Sequence, residues 1–124
     1  MTTENTKKTR TESDLIGARE VPYEALYGVQ TLRGMENFPI SHFKLSQYPL
    51  FIKGLGVTKL GAVRANHKLG LIPDDMAKAI EQACLELIEG RHTEAFPVDM
   101  IQGGAGTTTN MNANEVIANR ALEL

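Results

Sequence analysis

Cysteine occurs once in these 124 residues, as Cys84, which excludes an internal disulfide and points to a reducing compartment. No apolar run approaches the roughly 20 residues that span a bilayer. The opening Met1 to Ser13 is polar and lacks the apolar stretch of a secretion signal, so a cytoplasmic location and no membrane partner are expected. Neither sign of charge dominates: 13 basic residues face 15 acidic ones, a net charge of −2, which leaves no electrostatic case for nucleic acid. His, Cys and carboxylates do not gather at metal-ligand spacing, and no two carboxylates stand paired for acid/base work. Neither a metal nor a cofactor is therefore expected.

The apolar content, 42%, suffices for one small globular domain that buries about two thirds of its unfolded surface. Residues 1–13 hold five threonines with Lys7, Lys8 and Arg10 but hardly an apolar side chain, and read as a flexible tail. The domain proper is set at residues 14–124. From Asp14 to Pro39, apolar groups broken by Gly17, Pro22, Gly28 and Gly34 predict short extended pieces, with one or two short helices within Tyr23 to Phe38. Arg33 there reads as a surface residue or a structural ion pair. Residues 40–48 read as a loop with His42 at the surface.

Residues 49–71 carry Phe51, Leu55, Thr58, Ala62, Ala65 and Leu69 at alternating intervals of four and three, which predicts a helix with a narrow seam. Gly54, Gly56 and Gly61 weaken it but let another helix come close. Lys53, Lys59, Arg64 and Lys68 fall mostly off the seam and read as solvated or subunit-facing, and His67 has no evident partner. After Gly70 and Pro73, Asp74 and Asp75 open a second helix with the acidic sign its dipole favours, running through Met76, Ile80, Ala83 and Leu87 to a stop at Gly90. The short turn between the two demands an antiparallel hairpin. Glu81, Glu86 and Glu89 are expected to face solvent, and Cys84 to pack. His92 to Gln102 is an irregular connection, apolar enough to be buried, in which Asp99 and Gln102 hold the following turn by hydrogen bonds.

That turn, Gln102-Gly-Gly-Ala-Gly-Thr-Thr-Thr-Asn110, is the most informative stretch. Glycine at three of four positions permits positive φ and close approach to a ligand. Ala113, Val116, Ile117, Ala121 and Leu124 then recur at helical spacing, so a helix begins near Thr107. Its start offers unpaired N–H groups and partial positive charge, to which a carboxylate or phosphate would bind. The other reading is an ordinary entry turn with Thr107 capping the helix, and the two are compatible. The Lys of a phosphate loop and the GxGxxG spacing of a dinucleotide fold are both missing.

The run Gly103-Gly-Ala-Gly-Thr107, followed by Asn110-Met-Asn-Ala-Asn-Glu-Val-Ile-Ala-Asn-Arg120-Ala-Leu-Glu-Leu124, resembles the first substrate segment of the aspartase/fumarase superfamily. Asp14-Leu-Ile-Gly-Ala-Arg-Glu-Val-Pro22, Tyr27-Gly-Val-Gln-Thr-Leu-Arg33 and Glu36-Asn-Phe38 resemble the opening of the same family. The resemblance implies a mainly α fold with short extended segments: the N-terminal domain of the L-aspartase-like fold, ending where a central helical bundle starts. It implies that Thr107 donates to a carboxylate of a small dicarboxylate substrate, with Gly106, Thr108 and Ala105 shaping the pocket, and that Arg33 could help order the site. Fumarases of the family place serine where Ala105 stands, whereas aspartases read Gly-Ala-Gly-Thr, so conversion of L-aspartate to fumarate and ammonia is the expected reaction. Fumarate hydration is the near alternative, and a non-catalytic helical assembly module is a further one. The helical pattern meets no stop signal before Leu124, as expected of a truncated chain. The family's proton-transfer serine, histidine and lysine would then lie beyond it, in a homotetramer whose sites combine several subunits, and the piece alone would be inactive.

Overall fold

The computed structural model describes residues 8–124. Exposed and half-buried residues alternate from Thr9, and the chain forms an antiparallel hairpin of β1 (Thr9–Asp14) and β2 (Gly17–Pro22), in register from Thr9↔Pro22 to Asp14↔Gly17. This corrects the reading of residues 1–13 as a tail: residues 9–13 are strand, and residues 1–7 lie outside the described part. The strand needs few apolar side chains because Arg10 anchors it. Its guanidinium donates to the carbonyls of Pro22, Tyr23, Ala25 and Tyr27 at 2.8–3.0 Å and to the Glu12 carboxylate. Arg33 is the structural ion pair, 2.9 Å from Asp14, and ties the hairpin to the helix that follows. This guanidinium, with further help from the Ile16 and Gly17 amides, holds the Asp14 carboxyl down at about 2.

That helix, α1 (Val29–Asn37), has no cap from Gly28, and its first amides are met by two carboxylates from elsewhere. Glu12 accepts from the Val29 N–H at 3.1 Å. Glu115 accepts from the N–H groups of Gln30 and Thr31 at 3.0 and 2.8 Å and from the Thr31 hydroxyl at 2.6 Å. Negative charge at a helix start satisfies orphan donors and suits the dipole. Gly28 makes room for this meeting, because a Cβ there would overlap both carboxylates and displace them.

Pro49 opens α2 (Pro49–Lys68), and α3 (Asp74–Ile88) returns antiparallel to it, as the pairs Arg64–Glu81 and His67–Asp74 show. The buried stripe of α2 is Ile52, Gly56, Leu60 and Val63. The expected seam lies beside it and is mostly exposed, with Phe51 at 50% and Leu69 at 72%. The reason is Gly56, where a Cβ would meet Ile88, Leu87 and the Cys84 carbonyl at 3.1–3.2 Å. The closest approach of the two helices thus falls on a residue without a side chain, and a count of apolar side chains leaves it blank.

A short 3₁₀ turn (Leu45–Gln47) and another (Thr93–Ala95) flank this hairpin, and an isolated bridge pairs Lys44 with Asp99. The connection carries fully buried Phe96 and Val98 into the core, as its composition predicts. Burial of such side chains contributes roughly 1.5–3 kcal/mol each. The last helix, α4 (Thr107–Glu123), packs Ala113, Val116 and Ile117 into the same core.

Glu86 departs from expectation: instead of facing solvent it is 2% exposed. It sits on the face of α3 turned to α4, where Arg120 donates to it at 2.7 and 3.1 Å, His92 Nε2 lies 2.6 Å away, and Arg91 approaches at 3.5 Å. The Arg120 guanidinium first, then His92, hold its carboxyl at about 2 despite burial.

Glu115→Ala leaves two amides of α1 and the Thr31 hydroxyl without their acceptor, and should lower stability by about 2–3 kcal/mol in denaturant titration. Glu86 titrates below its unfolded value, so its contribution is complete above the ordinary 4.5 and is lost as pH falls toward about 2. Melting temperature should therefore drop across that window, and Glu86→Gln should remove part of the drop.

Candidate carboxylate-binding turn

Gly104 and Gly106 adopt φ of 75° and 79°, the left-handed region that disfavours a Cβ, and this reversal aims the chain into α4. Gly106 holds the cap position and can offer no side chain, so α4 starts without a side-chain cap. Thr107 is the first helical residue and does not act as the cap. The Asn110 N–H returns to the Gly106 carbonyl at 3.3 Å, and the Thr109 N–H donates to Gln102 Oε1 at 3.1 Å. The N–H groups of Thr107 and Thr108 have no partner among the described residues. Two free amides stand at the positive end of a 17-residue helix, beside an exposed threonine hydroxyl, and such donors suit an anion.

Ala105, Gly106 and Thr107 share the exposed rim of this turn. Thr108 is half-buried and differs from them. Its methyl presses on Gly34 of α1, where a Cβ would overlap it, so that side of the side chain packs while its N–H is free. The Phe38 ring lies under Gly103, 3.1 Å from where a Cβ would stand. Gln102 makes the turn-holding bonds expected of it, whereas the Asp99 carboxylate fixes the segment that leads into the turn. Asp99 accepts from the Ser41 hydroxyl at 2.6 Å and from the N–H groups of Ser41, His42 and Ile101 at 2.8 Å, and these bonds, the hydroxyl first, keep its buried carboxyl well below the usual carboxylate range.

Two contributors escaped sequence reasoning. Lys59, read as solvated or subunit-facing, reaches across from α2 to donate to Asn110 Oδ1 at 2.7 Å, one turn into α4. Glu115 holds α4 to α1, and its partners stand 84 and 85 residues away, so no local pattern marks it. Two of the three histidines lie elsewhere: His67 pairs with Asp74 and His92 with Glu86, each at 2.6 Å. Among the described residues no three His, Cys, Asp or Glu side chains gather as a metal site, and no helix is long and apolar enough to cross a membrane. The turn thus presents N–H and O–H donors of the kind that suits a carboxylate.

The sequence model of a family described as "Lyase" matches residues 17–124. The chain belongs to this lyase family. An aspartate ammonia-lyase from Pseudomonas aeruginosa is 56% identical over 114 residues, covering 92% of this chain and 24% of the relative. The crystal structure of a fumarate lyase:delta crystallin from Brucella melitensis superposes with a TM-score of 0.92 at 49% identity, over 94% of this chain and 25% of that one. A class II fumarase from Schistosoma mansoni superposes at 0.88 and 37% identity, over 94% and 24%. The fold is thus the mainly α N-terminal domain of aspartase/fumarase-type lyases, as the motifs imply. This lyase chain spans about a quarter of the length of the curated relatives it matches.

Cys84 of the lyase is fully buried on α3, and burial pushes its thiol up to about 11. A thiol reagent at neutral pH should leave it unmodified in the folded chain and react fully once denaturant is added.

Proposed function

We propose that this chain is the N-terminal part of an enzyme that deaminates L-aspartate to fumarate and ammonia, and that its glycine turn binds one carboxylate of the substrate. The observation that carries the reading is the pair of unpartnered amides at Thr107 and Thr108, set in the sequence Gly-Ala-Gly-Thr and in a chain 56% identical to an aspartate ammonia-lyase. In this reading the amides and the Thr107 hydroxyl bind the carboxylate. As a proton leaves the adjacent carbon, charge builds on that carboxylate, and donors already oriented toward it stabilise the aci-carboxylate more than the ground state. Gly106 and Ala105 keep the approach open, since a side chain larger than alanine would stand in the rim.

The exposed turn supplies one wall of a site. The base and the remaining walls come from segments beyond Leu124 and from neighbouring subunits of a homotetramer, so the chain alone is inactive. The enzyme works in the cytoplasm. Fumarate hydration is the second reading, supported by the superposed Schistosoma fumarase at 37% identity. Ala105 weighs against it, because the hydratases resembled here place a hydroxyl at that position, and a site built around a polar group discriminates strongly against its loss.

Fumarate absorbance should rise when the full-length protein receives L-aspartate and stay flat with L-malate; turnover of malate alone overturns the choice. Thr107→Ala in that protein should lower kcat/KM by about 10- to 1,000-fold, the scale of a lost transition-state donor. Unchanged kinetics would remove the turn from the site.

A further inference from the structure

The glycine turn has little of its own to hold it. A Cβ placed on Gly104 or Gly106 would meet nothing within 4 Å, and Ala105 and Thr107 are exposed. Apart from the Phe38 ring beneath Gly103, its geometry is set at its two ends. Gln102 joins those ends. Its Nε2 donates to the Asp99 carbonyl at 2.8 Å and to Thr109 Oγ1 at 2.7 Å, while its Oε1 accepts from the Thr109 N–H at 3.1 Å. The amide has one workable orientation, because a backbone carbonyl only accepts and a backbone N–H only donates.

The position of these bonds along the helix matters as much as their number. A helix start leaves its first amides without intrahelical partners. Gln102 takes the one at Thr109 from the side of the incoming chain and leaves those of Thr107 and Thr108 open. The other end of the clamp is rigid as well. Asp99 is bonded to Ser41, His42 and Ile101, and the flanking Met100 N–H donates to the Phe43 carbonyl at 2.8 Å. The first turn of α4 is thereby referenced to a buried strap and not to the solvent-exposed glycines.

We infer that Gln102 is a positioning residue: by closing the loop from Asp99 to Thr109 it aims the free Thr107 and Thr108 amides, and the Thr107 hydroxyl, at the substrate carboxylate. The inference rests on the carboxylate reading of the turn given above. Gln102 itself touches no substrate, since its side-chain oxygen and nitrogen are both committed to the clamp. It acts through Thr107, so the two residues must be energetically coupled.

A double-mutant cycle in the full-length enzyme, read as kcat/KM for L-aspartate, tests this. Gln102→Ala should lower kcat/KM by about 10-fold in the wild-type background, the scale of a modest misplacement of reacting groups. In the Thr107→Ala background the same change should cost less, about 3-fold, because the aimed hydroxyl is gone and only the two amides remain to be placed. An equal fall in both backgrounds overturns the inference and leaves Gln102 a stability residue. If Gln102→Ala loses its native melting transition, the cycle is run with Gln102→Glu. Glutamate keeps the shape and still accepts from Thr109, but it cannot donate to the Asp99 carbonyl. A Thr107→Ala enzyme with wild-type kinetics defeats the carboxylate reading itself, an outcome distinct from a damaged Thr107→Ala enzyme in which Gln102 acts independently.

Discussion

The carboxylate of Glu115 on the first amides of α1 is the contact on which the arrangement of this domain depends. It joins α4, which carries the candidate site, to a helix 84 residues earlier in the chain, and does so with three hydrogen bonds to one side chain. The contact satisfies two needs at once. Helix α1 starts at a glycine with no cap of its own, and α4 must be fixed in rotation as well as in position. A hydrophobic contact would fix the separation of two helices and leave their rotation loose; bonds from an acid to two successive amides set both. Glu12 adds the third amide, so the hairpin, α1 and α4 meet at one point of concentrated negative charge facing the positive end of a helix.

The candidate site follows from that point. With α1 pinned at its start, Gly34 within it and Phe38 just past its end form a bed for the turn, receiving the Thr108 methyl and supporting Gly103. The side of Thr108 that packs leaves its amide free, and the side of Gln102 that bonds leaves the rim open. The same residues that hold the turn in place therefore decide which of its donors remain unused. Catalysis by electrostatic preorganisation depends on such a division, because donors that must first be released from other partners stabilise a developing charge less.

Much of this was legible from residue order alone. The glycine turn, the start of α4 at Thr107, the hairpin of α2 and α3 and the buried connection through Phe96 each announce themselves through local chemistry: special φ, helical spacing, acids at a helix start, and a stop at Gly90. What stayed hidden depends on distance along the chain or on the absence of a side chain. Glu86 reads as a solvent-facing acid until Arg120, 34 residues later, is placed against it. The first strand is polar enough to pass for a tail, and only the carbonyls gathered by Arg10 from residues 22 to 27 explain its order. The inner face of α2 was missed because its closest contact is made by Gly56. Motif likeness singled out the candidate turn, and local periodicity could not supply the bonds that orient it.

Helix α2 is apolar on two sides. Ile52, Leu60 and Val63 look inward, while Leu50, Phe51, Val57 and Leu69 remain uncovered. A helix of that kind suits the middle of a bundle, and when one flank is bare it becomes adhesive. Concentrated without its neighbours, such a chain would be limited in colloidal behaviour by α2, whatever the quality of its own core. Solubility and foldedness would then be separate properties of the same 124 residues.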